Sequence, residues 1–141
     1  MDVAEADRIL IELDRQDAEE SLMAFIRMSW DIVEPAMPFV EGWHLEFIAD
    51  HLEAITDGVE VNGKPYNRLL INVPPGHMKS LMMVFWQAWE WGPCNMPHMR
   101  YIAASHNQEL AIRDTLRLRR LVASDWYQAR WPHVVFSADQ N

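Results

Sequence analysis

The 141-residue sequence predicts an α/β fold, a parallel sheet with flanking helices, preceded by N-terminal helices. Three observations lead there. Arg68 to Leu81 reads RLLINVPPGHMKSL: Leu69, Leu70, Ile71 and Val73 suit a strand buried on both faces, Pro74-Pro75-Gly76 must end it, and Lys79-Ser80 opens an apolar helix. Downstream, RYIAAS at 100–105 followed by another helical pattern repeats the strand-helix order. The crossover between the two strands would form a right-handed βαβ unit. Half of the residues are apolar, enough for one domain with a real core.

The turn at Pro75, Gly76, His77, Met78, Lys79 and Ser80 has the layout of a phosphate-binding loop, which makes the predicted fold a partial P-loop nucleotide-binding fold. It delivers the chain into a helix N-terminus, where unpaired N–H groups and the positive end of the dipole favour an anion. Lys79 would meet the β- and γ-phosphates and Ser80 the Mg²⁺ of bound ATP. Against G-x-x-x-x-G-K-[ST], Val73 and Met78 stand where the two glycines belong.

Taken in order, residues 1–60 form an acidic helical segment and residues 61–141 the first part of the nucleotide-binding core. Val3, Ala6, Ile9, Leu10 and Leu13 recur at helical spacing among Asp and Glu from Asp2 to about Glu20, which predicts a helix packing that stripe on the domain. Ser21 to Val33 is a second helix, stopped by Pro35 and Pro38. In a third, Trp43, Phe47, Ile48, Leu52 and Ile55 form a stripe expected against the sheet, and Gly58 ends it. His44 and His51 on this helix lack companions at ligand spacing and read as solvated or hydrogen-bonded histidines. Asn62-Gly63 between Val59, Val61 and Tyr66 predicts a short hairpin or extended arm leading into the first strand. The Lys79 helix has little polar face, is expected to be buried, and ends at Gly92-Pro93. Cys94 and His98 then read as loop residues.

Ser105 and Gln108 have capping-box spacing for a helix to about Val122. On it Arg113, Arg117 and Arg120 fall along one side. That arrangement suits a solvated face, a phosphate track for duplex DNA, or a charged contact with a neighbouring subunit. Trp126, Tyr127 and Trp131 read as packing residues, and Val134-Val135-Phe136 as a last strand or extended segment.

The formal net charge is −9, but it divides unevenly. Residues 1–60 carry 16 acidic and 3 basic side chains, residues 61–141 carry 5 and 9, so an anion-binding surface is expected in the second half. The acidic start and the lack of a long apolar run argue against a signal peptide or membrane span. One cysteine excludes an internal disulfide framework and agrees with the cytoplasm.

The string INVPPGHMKSL, with WHLEFIADHLEAI before it and RYIAASHNQELAIRDTLRLRRLVASDWYQARWP after it, resembles the N-terminal part of the ATPase domain of the large terminase subunit of tailed bacteriophages and prophages. The resemblance runs from about Phe25 to the last residue. It implies an ATP-driven motor that packages viral DNA into procapsids in a bacterial host. Its implied partners are double-stranded DNA, the small terminase subunit and the portal protein, with a homo-oligomeric ring for the full-length protein. The family's loop, PPxxxKS, matches PPGHMKS except that Met78 replaces the Gly before Lys. The resemblance also assigns an adenine contact upstream of the loop, for which Trp43-His44 is the candidate.

A P-loop motor further needs a strand ending in an acid that holds Mg²⁺ and a Glu that orients water. Glu90, Glu109, Asp114, Asp125 and Asp139 lie on predicted helices or the terminal loop, and none follows an apolar strand. The chain is therefore expected to stop before that acid and the nuclease domain. The alternative from another class is a non-catalytic interaction module on a nucleotide-binding-like fold.

Overall fold

A computed structural model describes residues 2–135, which form six helices and one two-stranded hairpin. The helices are α1 (Val3–Glu20), α2 (Leu22–Val33), α3 (Trp43–Thr56), α4 (Lys79–Trp91), α5 (Gln108–Val122) and α6 (Asp125–Arg130). The hairpin pairs β1 (Glu60–Val61) with β2 (Lys64–Pro65) in antiparallel register, Glu60 opposite Pro65 and Val61 opposite Lys64. Asn62 and Gly63 supply the two positive φ angles, 54° and 72°, that such a two-residue turn requires. No helix among the described residues is long and apolar enough to cross a membrane.

The expected parallel sheet is absent, and with it the βαβ unit and the P-loop NTPase architecture: the hairpin is the only sheet among the described residues. The physical reason lies in how the apolar runs are used. Residues 69–73 form no strand; Leu69, Ile71 and Val73 pack against the core, while Leu70 is 93% exposed. In the second run Tyr101 turns inward and Ile102 is 100% exposed. A sheet needs neighbouring strands to take up its backbone N–H and C=O groups, and these two stretches make no ladder with one another. Burial is achieved by helix on helix instead.

α2 is the centre of that packing. Ser21 caps it by accepting from Ala24 N at 3.3 Å, and Glu34, ahead of Pro35, follows its last residue. Its Leu22, Met23, Phe25, Ile26, Trp30 and Val33 are all buried against α1, α3, α4 and α5. α4 packs on α2, α3 and α5 and buries Met82, Val84, Phe85, Ala88 and Trp89. The short α6, capped by Ser124, was not expected from the sequence, yet its Tyr127 is fully buried and donates its hydroxyl to Ala88 O at 2.7 Å. Gly92 ends α4 against this contact, where a Cβ would lie 2.5 Å from the Tyr127 hydroxyl oxygen and 3.0 Å from Trp131 Cγ. One hydrophobic core thus runs from Ala18 to Val134.

Two stripes face other ways than the sequence suggests. In α1 only Ala18 is buried, with Ala6 and Ile11 half-buried, whereas Val3, Ile9, Leu10 and Leu13 are exposed. In α3 Ile48 and Leu52 of the expected stripe are buried, joined by Leu45 and Ala49, whereas Trp43 is 79% exposed and Phe47 lies outside as well. Asn107, rather than Ser105, caps α5 by accepting from Glu109 N at 2.8 Å. Val134 is buried but belongs to no strand, while Phe136 and Asp139 lie outside the described residues.

Cys94 lies half-buried in the turn after α4, where burial, seconded by the charges of Glu90, Asp57, Glu53 and Glu19, pushes its thiol up to about 12. A thiol held neutral is a poor nucleophile. Cys94 should accordingly react with a disulfide reagent far more slowly in the native protein than in urea; equal rates would show that the thiol is accessible and ordinary.

Candidate functional site

The turn between the 69–73 segment and α4 is built by two left-handed residues. Gly76 has φ 84°, and Met78, the residue before α4, has φ 61° and ψ 9°. Met78 therefore occupies a conformation in which glycine is the ordinary residue. Its half-buried side chain packs on the core. His77 Nδ1 lies 3.2 Å from Pro75 O and stiffens the turn.

Nothing caps α4 from within. Met78 offers no side-chain acceptor, and the first N–H to find a backbone carbonyl is that of Met82, 2.9 Å from Met78 O. The N–H groups of Lys79, Ser80 and Leu81 make no hydrogen bond among the described residues, so the dipole end of α4 is left for an anion.

That helix end opens into a cavity of about 570 Å³. Gly76, His77, Met78, Lys79 and Ser80 form one wall, and Arg113 and Arg117 of α5 stand on another. α2 contributes Trp30 and Glu34, the following loop Met37, Pro38 and Val40, and α3 His44. The His44 and His77 rings meet edge-on with centroids 5.5 Å apart. Trp30 is fixed by its indole N–H, which donates to Met37 O at 2.6 Å.

Charge in the cavity is mixed. Lys79 is exposed and has no ion pair among the described residues. Arg113 reaches Asp114 at 2.9 Å, and Arg117 is held between Glu34 and Asp114, the latter at 3.3 Å. Glu34 is the one carboxylate among the lining residues, and its ion pair with Arg117 is largely shielded from solvent.

The structure thus brings together most of the residues that the sequence marked. Gly76 through Ser80, His44, Arg113 and Arg117 share one cavity. Pro75 turns the chain beside it without lining it, and Arg120 lies one turn along α5 on a shallow outer groove. Trp43 lines a separate, adjoining cavity of about 470 Å³ with Phe47, His51, Tyr66 and the 69–73 segment; His44 borders both. No group of three or more His, Cys, Asp or Glu side chains among the described residues could hold a metal ion.

Trp30 and Glu34 were not marked by the sequence. They belong to α2, far from the turn in the chain, and Glu34 precedes a proline in what reads only as a helix stop. The Pro35 and Pro38 pair was the available signal, since it folds the 35–40 loop back across the helix end. Compared with known families, curated proteins and solved structures, the chain shows no significant match.

Proposed function

We propose that the cavity at the start of α4 binds the phosphates of ATP, with Mg²⁺ at Ser80, and that the chain is the nucleotide-binding part of a phage-type DNA-packaging ATPase. The observation that carries this reading is the convergence of the uncapped α4 N-terminus, Lys79, Arg113 and Arg117 on one cavity. Unpaired amides and the Lys79 ammonium complement phosphate oxygens, while Arg113 and Arg117 also have carboxylate neighbours. The reading rests on this cavity and not on a parallel sheet. His44 borders both cavities, which supports a purine lying beside it with Trp43 and Phe47 beyond.

Binding is the role these residues support, with little turnover. Phosphoryl transfer to water needs an oriented nucleophile and stabilised developing charge. Glu34, the lining carboxylate, is engaged by Arg117.

Calorimetric titration with Mg-ATP tests the proposal. Lys79→Ala is expected to weaken binding about tenfold or more, the scale of one charge-assisted contact. Met78→Gly should leave affinity equal or higher, because φ 61° suits glycine. Equal affinity in Lys79→Ala and the parent would sink the reading.

A further inference from the structure

We propose that Glu34 sets how strongly the cavity at the start of α4 holds phosphate, because its carboxylate occupies Arg117 and a phosphate must displace it. This inference rests on the phosphate-binding reading above and adds the residue that opposes binding. Glu34 is the one carboxylate among the lining residues. It follows the last residue of α2, where its backbone N–H donates to Trp30 O at 2.9 Å and Pro35 comes next, so its backbone is fixed on the cavity wall. The Glu34 side chain is 19% exposed and that of Arg117 20%, and salt screens such a partly buried pair only weakly. Arg117 Nη2 lies against Glu34 Oε1, and Nη1 lies 3.3 Å from Asp114 Oδ1. Glu34 Oε1 is buried yet accepts no aligned hydrogen bond among the described residues. Charge, rather than a directional bond, therefore holds it to Arg117. Phosphate oxygens offer a guanidinium both.

The charges around Arg117 show why this carboxylate matters. Glu34, Asp114, Arg113 and Arg117 sum to zero, which leaves Lys79 as the cation of the cavity wall that has no ion pair among the described residues. Asp114 does not line this cavity; it borders the adjoining one with Ser80. Glu34 is thus the acid that an anion at the α4 amides would face, and like charges repel more strongly in a partly shielded site than in water. Arg117 can change partner without leaving, since Asp114, three residues earlier on α5, still holds Nη1. When Nη2 turns to phosphate, the tie between the end of α2 and α5 is released. By linkage, phosphate and the Glu34–Arg117 pair each weaken the other.

Calorimetric titration of the full chain with Mg-ATP and with pyrophosphate tests this. Glu34→Gln keeps the side-chain size and an oxygen for Arg117 but removes the charge, and it should tighten both probes about tenfold, the scale of one charge-assisted contact. Combining it with Arg117→Gln should return the affinity to about that of the parent, because the gain acts through that guanidinium. Adenosine, which has no phosphate, should show no gain. Far-UV circular dichroism checks folding, and Glu34→Asp, which keeps the charge but shortens its reach, is a second variant with a smaller expected gain. Absence of a gain in these variants, a gain that survives Arg117→Gln, or an equal gain for adenosine would overturn the proposal. If Lys79→Ala still loses Mg-ATP in that case, the phosphate reading stands and Glu34 alone is misassigned. Binding of both probes by Glu34→Gln beside a parent that binds neither would support the proposal and refute nucleotide binding by the parent. No binding by either protein would overturn both.

Discussion

Trp131→Ala is expected to cost about 3–5 kcal/mol of stability, the scale for removing a large aromatic from a packed core. Trp131 is 1% exposed and sits where Phe25 of α2, Trp126 and Tyr127 of α6 meet, with ring centroids 5.6, 5.6 and 5.1 Å away. Deleting it opens a cavity under α2 and removes the surface on which Gly92 closes α4. The indole N–H has no partner among the described residues. Trp131→Phe should therefore be much milder, since it drops an unsatisfied donor while keeping an aromatic ring in place. Urea unfolding of both variants measures the difference. A loss below about 1 kcal/mol for Trp131→Ala would mean that α6 is not part of the cooperative core.

The same side chain shows what could and could not be read from the chain alone. Trp126, Tyr127 and Trp131 are legible as packing residues from their aromatic density, but α6 is only six residues long, too short for a periodic pattern to show. Helix existence at α2, α4 and α5 follows from local signals, Pro35 as a stop, Lys79 after the turn and a polar cap before α5, although that cap is Asn107 and not Ser105. Which stripe faces inward is not a local property. On α1 only contact with α2 and α6 decides that Ala18 is covered and Leu10 is not. α3 has the same ambiguity between Phe47 and Leu45.

The sheet failed for a related reason. Leu69 to Val73 is an apolar run with β propensity, but a strand is completed by hydrogen bonds to another strand, and among the described residues no other chain segment supplies them. The candidate site was more legible than the fold because Gly76, Lys79 and Ser80 lie within one short turn. Arg113 and Arg117 could be marked as a charged stripe, yet their approach to that turn depends on α4 packing against α5. Glu34 reaches the cavity only through tertiary structure.

Glu90 is the second position where a large effect is expected. It is 1% exposed on α4 and linked to two other parts of the chain. The Tyr101 hydroxyl donates to Oε2, and Thr56 Oγ1 of α3 lies 2.6 Å from Oε1. That Thr56 oxygen also accepts from Trp86 Nε1 at 2.9 Å and lies 3.1 Å from Leu52 O. A hydroxyl has one proton. Thr56 donates to Oε1, a hydrogen bond that favours the ionised carboxylate. Burial opposes it more strongly and raises the pKa from 4.5. A folded pKa above the unfolded one contributes stability that is fully present below pH 4.5 and is lost as pH rises through the folded value. Parent stability should therefore fall as pH rises from about 5 to 8, with Glu53, also raised by burial, adding to the slope. In Glu90→Gln the amide oxygen accepts from Tyr101 and the amide N–H donates to Thr56, so the network survives and part of the slope disappears. Glu90→Ala instead strands both hydroxyls and leaves a void, an expected loss of about 3–5 kcal/mol. Urea unfolding at pH 5 and pH 8 separates these cases: parallel slopes for the parent and Glu90→Gln would mean that the buried carboxyl does not titrate with folding.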